Sequence, residues 1–238
     1  AAGPTQARHD DRVSTVPIEM FREALGDVLA LVFPVACAGC GAWDVSLCTG
    51  CREELTGDPV SRRIADVPVW SALLFEGVAA RVIRTLKEDG RTALARPLAT
   101  AATGAIERVR AHSPADTLFV PVPSSRSAFR RICFRPVELL MARASLPVSR
   151  SLRLTRMTAD QRRLDVHARA ANVSGAFHAS RVAGRDVIVV DDVVTTGATL
   201  DEAITALRVA GATVRGAVTV AATPLRAVHS GSESDASG

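Results

Sequence analysis

Tyrosine is absent from the 238 residues, and aromatic residues of all kinds make up only 4%. That scarcity argues against a chain that grips nucleic acid on a long platform of stacked bases, because such platforms repeat aromatic faces along the strand. Lysine is nearly missing as well: among 29 Lys and Arg residues only Lys87 is a lysine. Arginine therefore carries almost all the positive charge, the pattern of a GC-rich genome. No apolar run reaches the ~18 residues that a membrane helix requires, so no membrane span is expected. The beginning lacks the basic, apolar and cleavage-site segments of a signal peptide, and a cytoplasmic location is the expectation. Neither GxxxxGK[ST] nor a helix-opening GxGxxG occurs, which excludes a Walker loop and a dinucleotide fingerprint. No internal repeat is found.

What is present is a 47% hydrophobic, 23% charged chain with net charge +4 and pI near 9.1. Its length suffices for one substantial core plus a small accessory module. The mild basic excess suits a phosphate-bearing ligand or nucleic acid and singles out neither. Residues 1–16 and 226–238 are polar, small-residue segments without apolar periodicity, and both are expected to be disordered tails. Between them the sequence divides into 17–60, a helix plus a four-cysteine module, and 61–225, an α/β domain. Ile18, Phe21, Leu25, Val28, Leu29 and Val32 recur at helical spacing until Pro34 stops the pattern. The stretch Leu55 to Asp66, LTGDPVSRRIAD, reads as a linker.

Four of the five cysteines form two CxxC pairs, Cys37-Ala-Gly-Cys40 and Cys48-Thr-Gly-Cys51, seven residues apart. Each pair can wrap two thiolates around one cation, and two such knuckles complete a tetrahedral shell. A closed four-thiolate site has no open position for substrate, so structural zinc is the expected occupant and iron its main competitor. Two disulfides, or a redox dithiol, are the alternatives. The fifth thiol, Cys133, falls in a stretch that reads as helix and is expected to be buried or half-buried.

Beyond the linker, strand and helix patterns alternate. Strands are expected at Val67–Phe75, Leu118–Val122, Asp186–Val190 and Thr213–Ala221, and helices at Gly77–Glu88, Ala93–Arg110, Ser127–Ala144 and Thr199–Ala210. Such alternation predicts an α/β fold, a mostly parallel sheet flanked by helices on both faces. Ligands of such sheets sit beyond the carboxyl ends of the strands.

That rule locates the stretch Val187–Leu200, VIVVDDVVTTGATL. Asp191 and Asp192 follow the apolar run Val187–Val190, and Thr195-Thr196-Gly197-Ala198-Thr199 then turns into a helix N-terminus. Unsatisfied backbone amides and three threonine hydroxyls there make a nest for a phosphate dianion, with Gly197 letting the backbone come close. The two acids would repel that phosphate. They call for hydroxyls or a metal beside it, and a ribose carrying a 5-phosphate supplies both parts of the ligand.

VIVVDDVVTTGATL resembles the phosphoribosyl-pyrophosphate (PRPP) motif of type I phosphoribosyltransferases. By that resemblance Asp191 and Asp192, catalytic candidates, hold the ribose hydroxyls, and Val193, Val194, Thr195, Thr196, Gly197, Ala198 and Thr199 form the phosphate loop. The wider order is a four-Cys knuckle, TLKEDG, VPVP, Asp160-Gln161 with Leu164, Arg169 and Asn172, then Gly175-Ala-Phe177 and the PRPP motif. It is similar over Phe33 to Ala222 to the ComF family of competence-associated proteins. The resemblance implies a zinc finger fused to a phosphoribosyltransferase-like domain. It also implies a role in uptake or processing of single-stranded DNA, with a competence helicase or other DNA-uptake proteins as partners.

Transfer from PRPP displaces pyrophosphate from the anomeric carbon, and a departing polyanion needs stabilisation, normally with Mg²⁺. Pro123-Ser124-Ser125-Arg126 follows the VPVP strand and by resemblance is the pyrophosphate loop, with Arg126 a catalytic candidate. The Arg-rich segment 154–169 looks like the mobile hood of this superfamily, with Arg156, Gln161 and Arg162 as contacts. Lys87 lies where the family carries a lysine. One stretch departs from the family: where an Arg-Gly-aromatic-Asn/Asp sequence is usual, this chain reads Ile132-Cys133-Phe134-Arg135. Two other functions fit the same sequence. One is a single-stranded DNA-binding module tracking phosphates with arginines between 126 and 163. The other is a sensor that binds PRPP or a nucleotide 5-phosphate without turnover.

Overall fold

The computed structural model describes residues 35–124, 133–155 and 175–224. The expected N-terminal helix and both tails lie outside these residues, as do Ser125, Arg126, Arg156, Gln161 and Arg162. The described elements are α1 (Thr49–Glu53), β1 (Val60–Ile64), β2 (Val67–Leu74), α2 (Gly77–Glu88) and α3 (Ala95–Arg110). They continue with β3 (Leu118–Pro121), α4 (Pro136–Arg143), β4 (Leu152–Leu154) and β5 (Phe177–Ala179), then β6 (Asp186–Val194), α5 (Ala198–Val209) and β7 (Thr213–Ala222).

The five-stranded sheet has the order β1-β2-β7-β6-β3. β1 runs antiparallel to β2, and every other neighbouring pair is parallel. Val187, Ile188 and Val189 are fully buried, as a strand covered on both faces requires. One face packs on α2, α3 and α4 through Ala72, Leu73, Ile188, Val190, Val218 and Val220. The other packs on α5 and the β4-β5 ribbon through Val69, Val187, Val189 and Ala217. The expected mostly parallel α/β sheet is thus observed, and no helix among the described residues is long and apolar enough to cross a membrane.

Three local expectations are corrected. First, Val60–Ile64 inside the expected linker is strand β1, held in register by Val67–Ser71 of β2. The long-range pairing overrides the turn-like composition of LTGDPVSRR. Second, the helix expected from Ser127 begins, within the described residues, at Pro136, with Arg135 extended at φ −111°. Proline disfavours the helical conformation for the residue before it and suits the first helical position. Cys133 consequently lies in a bend with φ +59° and is exposed rather than buried.

The third correction shapes the site. β6 does not end at Val190 but runs on to Val194, because the ten-residue β7 keeps pairing with it through Val194↔Ala222. β3 stops earlier, at Pro121↔Val190, followed by one bond from the Val122 amide to the Val190 carbonyl at 2.8 Å. Prolines 121 and 123 have no N–H to extend the ladder. Beyond Val190 one edge of β6 therefore lacks its β3 neighbour, and Asp191 and Asp192 lie on that stretch.

Candidate functional site

Asp192 and Asp191 are adjacent on β6, and the Asp192 amide donates to Asp191 Oδ1 at 2.8 Å. Lys87, in the last turn of α2, places its ammonium 2.9 Å from Asp192 Oδ2, with side-chain exposures of 37% and 15%. The single lysine thus meets one of the two acids across 105 residues of sequence. Burial, and then the neighbouring Asp192 carboxylate, push the Asp191 carboxyl up to about 8, against the opposing pull of the Asp192 amide and the Lys87 charge. Repulsion within the pair makes the position ready for a ligand that brings hydroxyl donors or a cation.

Downstream, Thr195, Thr196, Ala198 and Thr199 are exposed while Gly197 is buried. Gly197 caps α5 in the left-handed region at φ +92°, and no side chain caps the helix. The Ala198 amide donates to Thr196 Oγ1 at 3.4 Å. The remaining first-turn amides form the positive end of the helix, suited to an anion. Val193 and Val194, by contrast, pack their side chains into the two cores and pair their backbones with β7.

A methyl group at Gly197 would stand 2.7 Å from Ile64 Cδ1, on top of the strain of positive φ. Gly197→Ala is therefore expected to destabilise the fold by about 2–4 kcal/mol in denaturant unfolding. Ser124 is half-buried three residues past the end of β3, the strand that neighbours β6. Of the departing stretch, Phe134 lies near the α2 end, with its Cε1 3.9 Å from where a Gly90 Cβ would stand.

The four knuckle cysteines converge so that their sulfurs all lie within 4.8 Å of one another, and none forms a disulfide. Cys40 and Cys48 Sγ are 3.7 Å apart. A tetrahedral cation with ~2.3 Å metal–sulfur bonds needs sulfurs ~3.8 Å apart, so the donor set fits one ion. Burial raises the Cys37 thiol, but amide hydrogen bonds from Cys48, Cys40 and Gly39 outweigh it and bring the group down to about 6. Cys51 is pushed up by burial and by the three surrounding cysteines. A shared cation resolves both conditions by converting the cluster to thiolates.

This knuckle is seated on the sheet domain. Cys37, Leu47, Cys51 and Leu55 belong to the same buried cluster as Val78, Val82 and Ile83 of α2. Arg81 donates to the Gly39 carbonyl. Arg91 donates to the Ala36 carbonyl at 2.8 Å and to the Ser46 carbonyl and hydroxyl at 3.1 Å each.

Two side chains that sequence reasoning missed brace the site. Arg62 of β1 donates to the carbonyls of Thr195 and Thr223, each at 3.0 Å. Glu202 of α5 accepts from the amides of Gly175 and Ala176, the latter at 2.9 Å. Neither lies in a motif, so only the tertiary pairing reveals them.

The family described as phosphoribosyl transferase domain matches residues 144–234. Among solved structures, UMP synthase of Leishmania donovani is 20% identical, covering 58% of this chain and 24% of its own, with TM-score 0.35. A structure described as the allosteric regulatory enzyme of purine biosynthesis is 25% identical, covering 53% and 25% with TM-score 0.31. The chain thus spans about a quarter of the length of either. No curated protein matches. The segment holding both acids and the threonine loop is therefore phosphoribosyltransferase-like.

Proposed function

We propose that the protein binds PRPP at the carboxyl end of β6 and transfers its phosphoribosyl group, with release of pyrophosphate. The observation that carries this reading is the succession, on one strand and turn, of an acid pair and an uncapped helix start rimmed by threonines. Asp191 and Asp192 accept hydrogen bonds from the ribose 2- and 3-hydroxyls. The amides and hydroxyls of Thr195 to Thr199 hold the 5-phosphate. With the ring fixed at both ends, the anomeric carbon faces the side of β3, which Ser124 follows; the resemblance assigns the pyrophosphate to Ser124 together with Ser125 and Arg126. An acceptor nucleophile bonds to that carbon as pyrophosphate departs with the electron pair. Mg²⁺, when bound, supplies further neutralisation of the leaving group.

Lys87 is the mobile charge of this site. Without ligand it neutralises Asp192; when ribose hydroxyls take over that carboxylate, the ammonium turns to the pyrophosphate. Lys87→Ala should therefore weaken PRPP about tenfold while changing ribose 5-phosphate affinity less than threefold, as calorimetry would measure.

Zinc fills the knuckle in this reading, as a structural ion. The order of knuckle, TLKEDG, VPVP and PRPP motif supports membership of the ComF family, and a link to DNA uptake rests on that resemblance alone. The decisive experiment is calorimetric titration of the metal-loaded protein with PRPP and Mg²⁺, beside the Asp191→Asn/Asp192→Asn double variant. Binding by the wild type only is the expected result. Equal binding by both, or by neither with the fold verified, overturns the assignment. Binding without pyrophosphate release for any base or amine offered would make the protein a sensor.

A further inference from the structure

The antiparallel β1-β2 hairpin lies at the edge of the sheet, yet its inward residues reach the threonine loop. Arg62 Nη1 donates to the Thr195 carbonyl and Nη2 to the Thr223 carbonyl, each at 3.0 Å. Thr223 closes the same knot: its amide donates to the Val194 carbonyl at 2.9 Å, and its hydroxyl to the Thr195 carbonyl at 3.3 Å. Two residues along β1, Ile64 lies against Gly197 so closely that a Cβ there would stand 2.7 Å from its Cδ1. One strand thus touches both the first residue of the loop and its pivot.

We propose that Arg62 is a positioning residue that aims the Thr195–Thr196 peptide at the ligand and thereby sets the affinity for the sugar 5-phosphate. This inference rests on the ribose-phosphate reading of the loop. In a planar trans peptide the carbonyl and the following N–H point in opposite directions. Because the guanidinium takes the Thr195 carbonyl on the β1 side, the Thr196 N–H points the opposite way, away from Arg62. The same fork holds the Thr223 carbonyl just past the end of β7, so the start of the loop is tied both to β1 and to the end of the neighbouring strand. A guanidinium can hold two carbonyls with a rigid fork, whereas an ammonium is a point charge without that geometry.

Four proteins separate this role from plain charge and from stability: wild type, Arg62→Ala, Arg62→Lys and the neighbouring control Arg63→Ala. Each is titrated with ribose 5-phosphate, and amide hydrogen exchange is followed at residues 195–199 without ligand. Arg62→Ala is expected to weaken ribose 5-phosphate at least tenfold and to accelerate exchange at 195–199. Arg62→Lys should lose nearly as much affinity although it keeps the charge and the melting temperature, and Arg63→Ala should match wild type. Wild-type binding with affinity and exchange unchanged in both Arg62 variants overturns the proposal while leaving the ribose-phosphate reading intact. Failure of the wild type to bind overturns that reading and, with it, the affinity role of Arg62; faster exchange in Arg62→Ala would then leave Arg62 as a brace only.

Discussion

Gly39→Ala is expected to emerge from expression with less than a tenth of the metal bound by the wild type, and to melt at least 10 °C lower. A Cβ at Gly39 would overlap the Cys51 sulfur, stand 2.8 Å from Cys51 Cβ and approach Val78 Cγ1 to 3.1 Å. No rotamer of the new methyl group can relieve this, because Cys51 Sγ is one of the four converging sulfurs and Val78 is part of the packed α2 face. The cost spreads because Cys37 and Cys51 lie in the cluster that includes Leu73, Ile188 and Val218 of the central sheet. Loss of a structural ion of this class withdraws on the order of 10 kcal/mol of apparent binding energy in isolated zinc modules. Chelation of the wild type should reproduce the variant's lower melting point. Metal analysis and thermal melting test both points, and zinc is distinguished from iron by the absence of visible absorption. Retention of a full equivalent of metal by Gly39→Ala would overturn the assignment of the knuckle geometry.

Asp191→Asn should stabilise the ligand-free protein at pH 9 and leave it nearly unchanged at pH 4. The wild-type carboxyl, raised by burial and by Asp192 to about 8 in the fold, ionises at about 3.9 in the unfolded chain. Between those values the folded state holds the extra proton, so wild-type stability falls as pH rises from about 4 to about 8 and stays low above that. Asparagine removes this slope while its Oδ1 keeps the hydrogen bond from the Asp192 amide. The difference at pH 9 should be on the order of 3 kcal/mol, discounted from the full linkage because the residue keeps some contact with solvent. Denaturant unfolding across pH 4 to 9 measures it. A pH-independent difference would mean that Asp191 is not held neutral by its surroundings. A stabilised fold that no longer binds PRPP would show the strain expected where stability is given up for a ligand site.

The parts of the molecule legible in sequence were those written in local pattern. Val187–Val190 announces a central strand because every residue is apolar, and the CxxC spacing announces the knuckle because each pair can turn two thiols toward one point, where the four sulfurs converge. The α2 and α5 boundaries fell within one residue of the observed helices. What remained hidden depends on partners distant in the chain. Nothing near Val190 indicates that β7 carries β6 on to Val194 while β3 stops at Pro121. β1 has the composition of a linker and becomes a strand only by pairing with β2. Lys87 was noticeable as the lone lysine, but its contact with Asp192 follows from how α2 is laid across the sheet. Arg62 had no distinguishing mark among so many arginines.

The strand order also bears on how the chain is made. β2 finds its parallel neighbour in β7, with Ser71 and Thr219 sharing a buried 2.7 Å hydroxyl contact across 148 residues. β3 likewise waits for β6. A ribosome must therefore synthesise nearly the whole domain before the central sheet can close, and pairing over such separations is slow. During that interval the apolar faces of β2, α2 and α3 have no sheet to cover them. The knuckle, complete by Cys51 and docked on α2 and Arg91, is assembled entirely from early residues. Capture of its ion would give the nascent chain a compact nucleus long before β6 and its acids exist.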